Sequence, residues 1–147
     1  GGLITPISAA SEISEIEKSL SLPFEQIYTH FTNALEKLAD REKPDYRNSI
    51  KESISAVEST CNLILGRKAT LSDALKKIKE AIEIHPALEE GLQKIYGYTS
   101  DADGIRHALI EAEKLTQDDA RFMLVICSAF SNYLIAKGKD AGLINLT

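Results

Sequence analysis

The sequence predicts an all-α fold, a compact bundle of about six helices around a central apolar C-terminal helix. Apolar residues recur at spacings of three and four along almost the whole chain. No stretch alternates as a half-buried strand does, and no Asn-Gly or Asp-Gly pair sits between alternating stretches as a hairpin turn would. The periodic segments are also punctuated by helix start and stop residues: Thr70 with Asp73, Thr116 with Asp119, Gly66, Pro44 and Pro86.

Residues 7–20 read as a first helix, apolar at Ile13, Ile16 and Leu20, serine-rich, and expected to be a loosely held arm. Ser21 is placed to cap a second helix, with Pro23 near its first turn and Glu25 close to the positive end of its dipole. Its stripe is Phe24, Ile27, Tyr28, Phe31, Leu35 and Leu38. The charged turn at 41–44 ends on a proline that cannot continue a helix.

A third helix spans about 45–65. Its stripe, Tyr46, Ile50, Ile54, Val57, Cys61 and Ile64, falls within about 80° of arc at roughly 100° per residue. Beside it Ser49, Ser53, Ala56 and Thr60 form a line of small side chains that lets a neighbouring helix come close, and Gly66 stops the helix. Thr70 and Asp73 open a fourth helix through about Ile84, which His85-Pro86 interrupts. A fifth at about 87–96 carries Leu88, Leu92 and Ile95. A polar loop at 97–103 follows, then a short helix at about 102–114 burying Ile105, Ala108, Leu109 and Ala112. Thr116 and Asp119 form a capping box for the last helix, whose body at 122–136 is apolar almost all round. The charged tail from Lys137 is expected to fray. The expected organisation is therefore an arm at 1–22, a bundle at 23–137 and a frayed tail at 138–147. Gly1-Gly2 reads as a tag scar and the chain as a piece of a longer protein.

With 147 residues the chain suits one domain. Its 44% hydrophobic and 27% charged residues argue against disorder. The net charge of −5, from 17 basic and 22 acidic residues, argues against a protein that coats nucleic acid without selectivity. No signal peptide and no apolar run near 18 residues is evident, so a cytoplasmic protein without a membrane span is expected. Cys61 and Cys127 lie in periodic apolar segments and read as buried free thiols in a reducing compartment. No CxxC or Cys/His cluster suggests zinc, and no cofactor is expected.

Three constellations could carry chemistry. Arg121, Ser128 and Asn132 point within about 40° of one another on the last helix, a polar line on an apolar rod. Such a line must meet water, partner groups or a ligand, so it is either an internal hydrogen-bond network or the wall of a polar cleft. Second, Asp103, Arg106 and His107 offer a carboxylate, a phosphate-binding guanidinium and an acid–base imidazole, a set suited to phosphodiester chemistry without metal. Asp103, His107 and Glu111 share a face at spacing four, a ladder that suits a solvated face better than a metal. Third, Arg47, Asn48 and Glu52 open the third helix with Glu58 further along, either boundary contacts or a substrate-binding set. His30 and His85 read as isolated surface residues, and Lys76, Lys77 and Lys79 as a solvated face.

The run Asp45-Tyr-Arg-Asn-Ser-Ile-Lys-Glu-Ser-Ile-Ser-Ala-Val-Glu58 resembles a segment of bacterial abortive-infection proteins of the AbiJ-like type. So do Asp103-Gly-Ile-Arg-His-Ala108 and Asp119-Ala-Arg-Phe-Met-Leu-Val-Ile-Cys-Ser-Ala-Phe-Ser-Asn-Tyr-Leu134. The resemblance covers about residues 23–137 and implies the HEPN superfamily: helical bundles, usually dimeric, many of them metal-independent ribonucleases of antiviral defence. The family's signature pairs an arginine with a histidine four to six residues on, along a late helix. Arg121 could supply the arginine, but Ile126, Cys127 and Ser128 stand where the histidine would fall, and Arg106 and His107 are adjacent.

Two functions follow as expectations. One is a ribonuclease or RNA-binding effector domain of phage defence. There Arg106 and Arg121 stabilise phosphate charge, His107 is the acid–base, Asp103 or Glu52 orients it, and Arg47, Asn48, Ser128 and Asn132 contact substrate. The other is a non-catalytic interaction domain of a larger defence protein. Either is expected to act as a homodimer.

Overall fold

A computed structural model describes residues 10–20, 24–99 and 115–144. Among these residues there are six helices and no strand: α1 (Ala10–Leu20), α2 (Glu25–Ala39), α3 (Tyr46–Leu65), α4 (Leu71–Ala81), α5 (Pro86–Thr99) and α6 (Gln117–Asp140). The helix expected at 102–114, the cap expected from Ser21 and the Gly1-Gly2 scar lie outside the described residues.

α3 is the hub, packed against α2, α4, α5 and α6. Its ends are written locally. The Asp45 carboxylate accepts from Asn48 N at 3.1 Å as the N-cap, and Gly66 closes the helix in the left-handed region at φ 71°. The small-residue line is wholly buried: Ser49, Ser53, Ala56 and Thr60 are each 0% exposed. Without bulk there, α2 and α6 approach closely enough for side chains to bond across. Ser49 Oγ donates to Ala34 O at 2.7 Å, and Thr60 Oγ1 donates to Ser131 Oγ at 3.1 Å. Both hydroxyls are satisfied, as burial demands. Residue 34 opposite 49 and residue 30 opposite 52 set α2 antiparallel to α3, whereas 131 beside 60 and 138 beside 64 set α6 parallel to it.

Several elements depart from expectation. α2 starts at Glu25, with Phe24 in the N-cap position and no side-chain cap. Its buried face is Ile27, Phe31, Ala34 and Leu38, and Tyr28, expected in the stripe, is exposed. α4 ends at Ala81, not near Ile84. Ile82, in extended backbone, and Ile84 are buried, with Glu83 and His85 exposed, and Pro86 disfavours helical geometry at His85. α5 runs through Gly97 to Thr99, where a loop was expected. His85 opens α5: its Nδ1 accepts from Ala87 N at 3.1 Å, and Pro86 takes the first helical position.

The arm and the tail are both more engaged than expected. Ile16 of α1 is buried, and α1 packs on α6 and α2. α6 continues to Asp140 instead of fraying at Lys137. It closes in a Schellman motif: Leu143 N donates to Gly138 O, Gly142 N donates to Lys139 O, and Gly142 is left-handed at φ 77°. Ile144 then folds back, buried, over Gly138. The α6 N-terminus carries the expected capping box of Thr116 and Asp119. By length and composition α6 does match a membrane-crossing helix, with a window of mean hydropathy 1.2, half of it buried. It serves here as a core helix against α1, α2 and α3.

Gly138, within the helix, leaves room for its neighbours: a Cβ there would meet Ile144 Cδ1 at 2.9 Å and Ile64 Cγ1 at 3.1 Å. Gly138→Leu is expected to destabilise by about 1–3 kcal/mol through overpacking. A Cβ at Gly91 meets nothing within 4 Å, so Gly91→Ala is expected to stabilise by about 0.5–1 kcal/mol through helix propensity. Urea midpoints of the two variants moving in the same direction would contradict this packing.

Candidate functional site

The polar line of α6 makes contacts with its own helix and with α1. Arg121 Nη2 lies 3.1 Å from Asp118 Oδ1 one turn earlier, with its side chain a third exposed. Ser128 is wholly buried. Asn132 is buried beneath α1: its Nδ2 donates to Glu15 O at 3.1 Å and to Glu15 Oε2 at 2.6 Å, and its Oδ1 is buried with no partner. One face of one helix thus runs from a boundary ion pair to the underside of α1. Asp103, Arg106, His107 and Glu111 lie outside the described residues.

The α3 candidates separate in the same way. Asn48 is exposed and serves the cap, donating from Nδ2 to Asp45 Oδ2 at 2.7 Å. Glu58 receives Leu71 N at 3.0 Å and so holds the start of α4. Arg47 is half-buried, with a buried Nε that has no partner. Glu52 reaches across to α2 and meets His30 Nδ1 at 2.7 Å.

The Asn48 side chain is the main cause of a lowered Asp45 carboxyl pKa, followed by opposing desolvation and then the Asn48 backbone N–H. A carboxyl with a depressed folded pKa contributes stability above its unfolded value that is lost as pH falls through the folded one. Asn48→Ala is therefore expected to lose about 0.5–1 kcal/mol near neutrality and to show a weaker acid limb. Thermal unfolding from pH 2 to 7, about the span over which a carboxylate titrates, checks both.

His30 and Glu52 form the arrangement closest to acid–base geometry among the described residues. Both side chains are part-buried, and the carboxylate fixes the ring from its Nδ1 side, as an orienting acid does for a base. Sequence reading left His30 isolated, because its partner is 22 residues away on another helix. The antiparallel α2–α3 register set by Ala34 and Ser49 was the signal that could have joined them. Neither cysteine offers a nucleophile: burial pushes Cys61 and Cys127 up to about 12, with Glu58 adding to the effect at Cys61. No three His, Cys, Asp or Glu side chains among the described residues gather as a metal set.

One concavity of the described surface is mainly apolar. A groove of about 380 Å³ lies between α5 and α6, lined by Lys94, Ile95, Asp119, Phe122 and Met123, with Phe122 58% exposed. No family model, curated protein or solved structure matches the chain.

Proposed function

We propose that the chain is a non-catalytic, HEPN-like interaction domain of a larger phage-defence protein, acting as a homodimer in the cytoplasm. One observation carries the reading: polar side chains expected to converge on a cleft are engaged separately in holding helices to one another or capping them. Asn132 ties α6 to α1, Glu52 ties α3 to α2, Glu58 ties α3 to α4, and Asn48 caps α3. A metal-independent ribonuclease needs a guanidinium and an imidazole within reach of one phosphate. These contacts instead do the work of a scaffold. Tyr28 and Leu143, 47% and 45% exposed, add apolar surface of the kind that partner contacts use.

The test is incubation of the purified chain with structured RNA in EDTA, alongside sedimentation over a concentration series. Intact RNA and a concentration-dependent dimer are expected. Cleavage that Arg106→Ala and His107→Ala each abolish would replace this reading with the ribonuclease one, and a monomer throughout the series would remove the homodimer.

A further inference from the structure

We infer that the outward face of α6 is an interface between two copies of this chain, the two helices lying antiparallel. The inference rests on the homodimer of the proposed function and names its surface. From Phe122 to Ala136 the helix runs fifteen residues, about 22 Å, without a charged side chain. Its own chain encloses only one side of it. α1 meets α6 at Asn132, and α3 meets it at Ser131 and Gly138.

At about 100° per residue, Phe122, Val125, Ile126, Ala129, Tyr133 and Ala136 fall on the opposite side, within about 100° of arc. None of the six is buried. Phe122 is 58% exposed, Ala136 is exposed, and the other four are half-buried. The outer face of a surface helix is ordinarily polar. α4 obeys that rule, with Asp73, Lys76, Lys77, Lys79 and Glu80 exposed. A charge-free face along five-eighths of the longest helix is the kind of surface that a partner covers.

Two features select a second copy as that partner. First, the ends of α6 carry opposite charge: Asp118 and Asp119 in the first turn, Lys137 and Lys139 in the last. Asp140 only partly offsets the two lysines. Two copies laid antiparallel bring each acidic end to the other's basic end and set their helix dipoles in opposition, both favourable. Laid parallel, they would stack like ends. Second, the face is complementary to itself about Ala129. A twofold axis there sets Phe122 against the partner's Ala136 and Val125 against the partner's Tyr133, with Ala129 against its own copy. The largest exposed ring therefore meets a small residue, and alanine at the crossing permits an interaxial distance near the short end of about 8–10 Å.

Ala129→Cys in the full chain tests this, because a residue on a twofold axis meets its own copy. Mild oxidation is expected to link most Ala129→Cys chains in pairs. Phe122→Cys alone should link about tenfold less, whereas Phe122→Cys mixed with Ala136→Cys should link readily. Ala129→Arg, at a half-exposed position, should weaken dimerisation about hundredfold or more in sedimentation and leave the helical circular dichroism unchanged. A dimer that Ala129→Arg leaves intact, or that Ala129→Cys does not link, would overturn this interface and leave the homodimer standing. Efficient linking of Phe122→Cys by itself would overturn the antiparallel arrangement. A monomer at every concentration would remove both the homodimer and the interface.

Discussion

Phe31→Ala is expected to lower the free energy of unfolding by about 3–5 kcal/mol. At roughly 2–4 °C per kcal/mol for a chain of this size, the melting temperature should fall by about 10 °C. Phe31 is 0% exposed. One turn on, Ala34 is also 0% exposed, and its carbonyl is gripped by Ser49 Oγ at 2.7 Å. That grip fixes α2 at short range on the small-residue face of α3, so α2 cannot slide inward to fill the void, and the cost belongs near the top of the range. Tyr28, one turn earlier, is 47% exposed, and Tyr28→Ala should cost less than about 1 kcal/mol. Denaturant unfolding of the two variants gives the comparison. Similar losses from both would mean that α2 presents a different face to the core.

This pair also shows where sequence reading reaches its limit. Periodicity places Tyr28 and Phe31 in one stripe and passes over Ala34, because alanine carries little hydropathy signal even where it is wholly buried. What decides between them is the distance to α3, and that is set by Ser49 on another helix. By contrast, both ends of α3 were legible, since Asp45 and Gly66 act on backbone within one turn of themselves. The capping box of α6 was legible for the same reason. The tail was misread because its order comes from Ile144 returning onto Gly138, a contact hydropathy does not reveal.

The candidate site divides along the same line. Helical wheels aligned Arg121, Ser128 and Asn132 correctly but could not say what lay opposite. Opposite Asn132 lies Glu15, 117 residues away. The His30–Glu52 pair was unreadable until α2 and α3 had a register.

Asn132→Asp turns that distant contact into a test with a pH signature. Asn132 is 5% exposed, and its Nδ2 lies 2.6 Å from Glu15 Oε2. Replacing the amide with a carboxyl removes the donor and sets two acids against each other beneath α1. A like charge at that distance, with burial added, holds the introduced proton more tightly in the fold than in the unfolded chain. The variant should then bind more protons folded than unfolded. Its deficit should be smallest below the unfolded aspartate value near 3.9, and should grow as pH rises through it. Above the folded value the deficit should level off about 2–3 kcal/mol above its low-pH level, the worth of a shift of about two pKa units. Asn132→Leu supplies the contrast. It leaves the Glu15 groups without their donor but adds no charge, so its loss of about 1–3 kcal/mol should vary little with pH. Urea midpoints of both variants from about pH 3 to 7 separate the two costs. A flat profile for Asn132→Asp would mean that Asn132 does not face a carboxylate. The polar line of α6 would then again be open to a ligand, and the argument for a scaffold over a cleft would lose its best contact.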